Sequence, residues 1–290
     1  MKKYRAIFFD WDGTAVLTRT APVEEAAEAM RKLLNKQIYL IVVSGTTYEK
    51  IGDGAIHRYF SKEQRKYLFF GLGRGSQNIG FDEAGNPIPV AQPKVGRERL
   101  LCIHDTAYQI HRTLLERWNY PTDIVFSRPN YCKIDLLCEA VRNENQYLNE
   151  GELTLVNDEL TKHGIYFGLS GLIALAQEIG EKHGLSVKAT CDAKFLEVGV
   201  LNKSDNVDAL LTEVLFPRGV KAEDCCFWGD EYLELAQGLY GSDSFMRTEL
   251  SKAGDFFDVS GIPGARPQGV VRLGGSVGAF LRFLHDQSGL

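Results

Sequence analysis

The sequence is as informative in what it lacks as in what it holds. None of its apolar runs approaches the ~20 residues that a helix needs to span a bilayer, so a membrane is not an expected partner. Basic residues are not in excess. Thirty-three Lys and Arg stand against 38 Asp and Glu, a net charge of −5, which offers nothing to the phosphate backbone of a nucleic acid. The six cysteines contain no C-x-x-C spacing of the kind that builds thiolate metal sites. Cys225 and Cys226 lie in an apolar run that reads as strand packing, and reduced thiols in a cytoplasmic setting are expected. The opening MKKYRAIFF runs straight into Asp10 and Asp12, without the apolar core and cleavage site of a signal peptide. No internal repeat or low-complexity tract is visible. Glycines 71, 73, 75 and 80 miss the G-x-G-x-x-G spacing and lead into no helical pattern, which argues against a dinucleotide loop.

What is present begins with AIFFDWDGT, residues 6–14. Three apolar residues lead into Asp10, then Asp12 and a Gly13-Thr14 turn, so two carboxylates share the mouth of a buried strand. Two acids so placed repel each other and call for a cation or a shared proton. A hard cation such as Mg2+ takes oxygen ligands and works with bound phosphate. A helix follows from near Pro22, then the apolar strand 38–43 ending at Ser44-Gly45-Thr46, which completes a βαβ unit. A second helix is expected over 48–59 and a strand over 67–71.

The character changes from about residue 91 to 188. Helices are expected over 100–118 and 169–183, with strands over 122–126 and 131–137. That content describes a small α+β domain. Core-like text resumes with a strand at 195–200, a helix capped by Ser204, a buried strand 224–228 ending at Gly229-Asp230, a strand at 269–273 and a closing helix from Val277. The expected fold is α/β: a Rossmann-like parallel-sheet core of residues 1–82 and 189–290, with a separate α+β cap domain of residues 83–188. His104 and His111 share a helix face and read as packed or solvated.

Asp10, Asp12, Ser44, Lys203 and Asp230 all follow predicted strands, where open parallel sheets bind their ligands. In combination and order they resemble the haloacid dehalogenase superfamily, and within it the Cof-like sugar-phosphate phosphatases with a large α/β cap inserted between the second and third motifs. The resemblance implies a Mg2+-dependent phosphatase acting on a small phosphorylated metabolite, a sugar phosphate foremost. A phosphomannomutase-like phosphotransferase and an inactive binding module are the alternatives. The resemblance makes Asp10 the nucleophile that becomes an aspartyl phosphate. Asp12 is the general acid/base, Ser44 the hydroxyl that meets phosphoryl oxygens, and Lys203 the screening cation. Lys194 and Lys188 are alternatives to Lys203. Asp230 holds Mg2+ beside Asp10 and the Asp12 carbonyl. Gly45, Arg128, Asn130 and Lys133 are candidate substrate contacts.

Two departures stand out. Thr46 occupies a place where many relatives have arginine. The fourth motif is interrupted: Gly229-Asp230 is followed by EYLELAQGLY before Gly-Ser-Asp-Ser-Phe-Met. Asp243 is expected to be the second acid supporting Mg2+, ahead of Glu234 and Glu231, across an inserted turn or short helix.

Overall fold

The structure, a computed structural model, describes residues 2–91, 95–139, 150–192 and 194–289. In chain order the elements are β1 (Ala6–Phe9), α1 (Glu24–Asn35), β2 (Tyr39–Val43), α2 (Lys62–Arg65), β3 (Leu68–Leu72), β4 (Gln77–Phe81), β5 (Pro87–Pro89) and α3 (Arg97–Trp118). There follow β6 (Asp123–Val125), β7 (Tyr131–Asp135), α4 (Glu150–Lys162), α5 (Gly168–Lys182), β8 (Thr190–Cys191), β9 (Phe195–Gly199) and α6 (Lys203–Leu210). The chain closes with β10 (Cys225–Gly229), β11 (Glu234–Ala236), β12 (Leu239–Tyr240), β13 (Asp255–Asp258), β14 (Val270–Arg272) and α7 (Ser276–Gly289). These form two compact units. The first is 1–93, 203–232 and 243–290; the second is 94–202 and 233–242.

The first unit is an α/β domain on an eight-stranded sheet of order β14-β13-β10-β1-β2-β3-β4-β5. From β14 to β3 the strands are parallel, and β4 and β5 turn back antiparallel. Central parallel strands are covered on both faces and so read as unbroken apolar runs. In β1, Ile7 and Phe9 join the core under α1 and α7, while Ala6 and Phe8 join the core under α6. The register aligns Phe8, Phe227 and Phe256 across three strands, and their rings stack with centroids 4.6 Å apart at each step.

The second unit carries a four-stranded antiparallel sheet of order β6-β7-β9-β8. Cys132, Ile134, Leu196 and Val198 pack into one core with Ile103, Ile110, Leu114, Leu172 and Ile179 of α3 and α5. Strand alternation puts Lys133 and Glu197, paired across β7 and β9, on the opposite face.

Several expectations are corrected. The core sheet continues through β4 and β5, so the first boundary lies near residue 93, not 82. Strands β8 and β9 pair with β7, so the return to the first unit comes at Lys203 and not at 189. The segment 48–59 is three short 3-10 turns, because Gly52 and Gly54 break the helical run. Helix α6 starts at Lys203, which puts Ser204 inside its first turn instead of at its cap. The fourth-motif insertion is a β-hairpin, β11–β12, and it belongs to the second unit. No helix among the described residues is long and apolar enough to cross a membrane.

Candidate active site

The first unit gathers four of the expected residues, Asp10, Asp230, Asp243 and Lys203, beyond the carboxyl ends of β1 and β10 and at the start of α6. Asp10 follows β1 directly, Asp230 follows β10, and Lys203 opens α6. Asp243 opens the turn at 242–246. Carboxylate oxygens of Asp10, Asp230 and Asp243 lie within 4.8 Å of one another. Lys203 Nζ stands 2.6 Å from Asp243 Oδ1 and 3.3 Å from Asp10 Oδ1. Ser44 directly follows β2, the strand beside β1, and its Oγ accepts the Thr46 N–H at 3.3 Å.

Backbone geometry makes room for this crowding. Gly13 sits at φ +81°, and a Cβ there would fall 2.1 Å from Asp230 Oδ2. A Cβ on Gly229 would fall 2.2 Å from Asp243 Oδ2. Each glycine therefore leaves the space that one acid occupies. Thr14 Oγ1 donates to Asp230 Oδ1 at 3.0 Å, and the Glu231 N–H donates to Asp243 Oδ2 at 2.8 Å.

The electrostatics follow from one cation among several buried acids. Burial pushes the Asp10 carboxyl up to about 8, with Lys203 pulling it down and Asp243, Glu231 and Asp12 adding to the rise. Burial, then Asp243, Glu231 and Asp10, lift Asp230 well above the carboxylate range. Burial works against the Lys203 charge, but Asp10, Asp243 and Glu231 outweigh it and hold the ammonium firmly protonated. Three clustered carboxylates facing one ammonium carry an excess of negative charge, which a divalent cation neutralises. Oxygen donors are what Mg2+ or Ca2+ prefer. Asp10 Oδ1 is buried and makes no hydrogen bond, with the Lys203 ammonium 3.3 Å away, which leaves lone-pair capacity for a cation. The donor set therefore fits a hard divalent ion held by Asp10, Asp230 and Asp243.

Asp12 has a separate environment. Burial raises its carboxyl, and Arg19, whose Nη2 lies 3.2 Å from Asp12 Oδ2, opposes that rise ahead of Lys203. Arg19, Thr14 and Asn206 are site neighbours that reading the sequence missed. Asn206 lies one turn after Lys203 on α6, fully buried. Its side chain bonds the Gly75 N–H at 2.7 Å, Asn78 Oδ1 at 2.9 Å and the Gln77 carbonyl at 3.2 Å, which locks α6 to β4 and its preceding turn. A polar residue one turn after a candidate lysine was the available signal.

The other expectations divide by unit. Lys188 and Lys194 belong to the second unit, where Lys194 pairs with Glu152 at 3.5 Å, so Lys203 is the lysine of the acid cluster. Glu234 lies in the hairpin and accepts the Gly238 N–H at 2.8 Å, outside the acid cluster. Arg128, Asn130 and Lys133 are second-unit residues, and Gly45 lies in the β2 loop. Lys133 Nζ is engaged by Glu197 at 2.8 Å and Asp192 at 3.5 Å. His104 packs its ring on Phe126, and His111 Nδ1 pairs with Thr122, so both are structural.

No protein-family model matches the chain, and no curated protein matches it in sequence. The fold does match solved structures of phosphatases, in agreement with the resemblance drawn from the motifs. An N-terminally truncated IMP-nucleotidase of Plasmodium falciparum is 15% identical, with 97% of this chain and 70% of that one covered and a TM-score of 0.60. The same truncated enzyme with IMP bound is 15% identical over 99% of this chain and 69% of that one, also at 0.60. The sucrose-phosphatase of Synechocystis, in complex with sucrose and phosphate, is 13% identical over 99% and 98% of the two chains, at 0.53. At such identities the likeness is one of fold.

Proposed function

We propose that this protein is a Mg2+-dependent phosphomonoesterase that hydrolyses a small phosphorylated metabolite, a sugar phosphate foremost, through an aspartyl phosphate. The observation that carries the reading is the cluster of Asp10, Asp230 and Asp243 around Lys203. The fold is shared with proteins named for nucleotide and sugar phosphates, which supports the substrate class. A cytoplasmic setting is supported by the six cysteines, which are thiols and form no disulfide among the described residues.

Asp10 attacks phosphorus through a carboxylate oxygen. As the bond to the leaving oxygen breaks, Asp12 gives that oxygen its proton. Water then attacks the acyl phosphate, Asp12 takes back a proton, and inorganic phosphate and the Asp10 carboxylate are released. Lys203 lies within reach of Asp10 and offsets the repulsion between two anions, while the Ser44 hydroxyl and the Gly45 loop receive phosphoryl oxygens. The divalent ion, when bound, supplies charge neutralisation for the transferring phosphoryl group. Arg128, Asn130 and Lys133 remain candidate substrate contacts.

The test is a phosphate-release screen over sugar, polyol and nucleotide monophosphates with Mg2+, run on wild type and Asp10→Asn. Release by wild type, with phosphoenzyme trapped on Asp10 and absent from the variant, is the expected result. Normal turnover by Asp10→Asn would overturn the assignment.

A further inference from the structure

The insertion between Asp230 and Asp243 is not a passive loop. Residues 230–232 and 243 onward belong to the first unit, whereas 233–242 belong to the second. The chain therefore leaves the first unit a second time, between Asp230 and Asp243 in sequence. The inserted strands β11 and β12 pair antiparallel, with Glu234 opposite Tyr240 and Ala236 opposite Leu239. Below them the Gly241 N–H donates to the Leu233 carbonyl at 2.9 Å. The next rung is in the acid cluster itself: the Asp243 N–H donates to the Glu231 carbonyl at 3.2 Å, and the Glu231 N–H returns to Asp243 Oδ2 at 2.8 Å. A two-stranded ribbon, with a register shift between Glu234 and Ala236, thus leads from the hairpin turn to the Glu231–Asp243 rung, where the Glu231 N–H meets the Asp243 carboxylate.

The far end of the ribbon is anchored. Leu235 is 5% exposed and lies in the core of the second unit, and Leu239 packs against that core. A two-stranded ribbon alone is marginal in water, so its order comes from this apolar anchor. The other acid, Asp230, is one residue from the same rung.

We propose that Leu235 and Leu239 are positioning residues for the metal site: their anchorage in the second unit sets the placement of Asp243 relative to Asp230, and hence the affinity for the divalent cation. The inference rests on the proposed metal-site reading. It makes cation binding and the seating of the β11–β12 hairpin two sides of one linkage, each altering the other by the same factor.

The experiment uses full-length protein and Mn2+ alone as the probe, with binding followed by electron paramagnetic resonance without substrate. Four variants are compared: Leu235→Ala/Leu239→Ala, residues 234–240 replaced by a Gly-Ser linker, Asp230→Asn, and Val156→Ala. The last opens the same second-unit core at a residue of α4, away from the ribbon. Supporting groups of metal ligands typically change affinity by about 10–100-fold, and a loss in that range is expected for both ribbon variants. In them, kcat at saturating metal should stay within a few-fold of wild type, and Val156→Ala should bind Mn2+ as wild type does. Unchanged affinity in both ribbon variants overturns the proposal, as does an equal loss in Val156→Ala, which would mark general loosening. Full affinity in Asp230→Asn, or no binding by wild type, overturns the metal-site reading itself and the proposal with it.

Discussion

Lys203 Nζ donates to Asp243 Oδ1 at 2.6 Å, joining residues 40 positions apart in sequence. The same ammonium lies 3.3 Å from Asp10, so one cation serves two buried acids. Its removal strands both. Lys203→Met is expected to lower kcat/KM by about 10²–10³-fold and to destabilise the first unit by about 3–5 kcal/mol. Mg2+ should recover part of the stability, because it neutralises the same carboxylates. Urea unfolding with and without Mg2+ reads this directly, and wild-type stability in metal-free buffer would contradict it.

The fourth-motif acids should separate in a Mg2+ titration of activity. Asp243→Asn is expected to raise the half-saturating Mg2+ by about 10–100-fold. Glu231→Gln should have a smaller effect. Glu234→Gln should follow wild type, since Glu234 serves the hairpin turn. A larger effect from Glu234→Gln than from Asp243→Asn would reverse the assignment.

Asn206→Ala should be costly although the residue touches no expected reactant. It leaves the Gly75 N–H and the Asn78 side chain without their partner in a buried place. A loss of about 2–4 kcal/mol is expected for a network of this kind, visible in thermal melts followed by circular dichroism. A midpoint within error of wild type would show that α6 is held by other means.

His57 gives the first unit a pH dependence. Burial, then Arg65 and Arg58, lower its pKa, and its Nδ1 pairs with the Tyr48 hydroxyl at 2.6 Å. Burial pushes the Tyr48 hydroxyl up to about 12, so Tyr48 stays protonated throughout the range in which His57 titrates. The unfolded chain binds the proton more readily, so this stability is present above about pH 6.5 and is lost as pH falls through the folded value. Hydrogen-exchange protection factors of residues 48–60, corrected for the intrinsic pH dependence of exchange, should fall below about pH 6.5 in wild type. His57→Phe should remove the pH dependence, and a flat wild-type profile would refute it.

Lys133 and Arg128 should behave differently despite their shared place among the candidate contacts. Lys133→Met leaves Glu197 and Asp192 facing each other, and a loss of about 3–5 kcal/mol in the second unit is expected. Arg128→Ala should leave stability unchanged and raise KM. If Lys133→Met raises KM alone, its ion pairs are exchangeable and the lysine is free to serve substrate.

What was legible in the sequence was local. Asp10 and Asp12 announce themselves because the strand, the acids and the turn fall within nine residues, and Lys203 because a helix follows it at once. The three-phenylalanine stack could not be read, since Phe8, Phe227 and Phe256 meet only through strand register. Strand β9 reads the same whether it joins one sheet or the other, so the domain boundary moved. Helix α4 passed unnoticed, because its apolar residues fit no clear face without α5 beside them. The hairpin was invisible for the same reason: Leu235 and Leu239 look like surface residues of an insertion until their distant apolar neighbours are known.

The order of strands also bears on how the protein is made. Strand β1 is central, yet its neighbour β10 begins at Cys225, while β2 follows within the first fifty residues. A ribosome adding about 5–20 residues per second leaves the open side of β1 unpaired for on the order of ten to forty seconds. That side is an apolar strand with free backbone groups, the kind of edge that recruits other chains. The nascent protein therefore carries its own aggregation hazard in β1, and its yield in a cell should depend on holding chaperones that shield Ala6–Phe9 until Phe227 arrives.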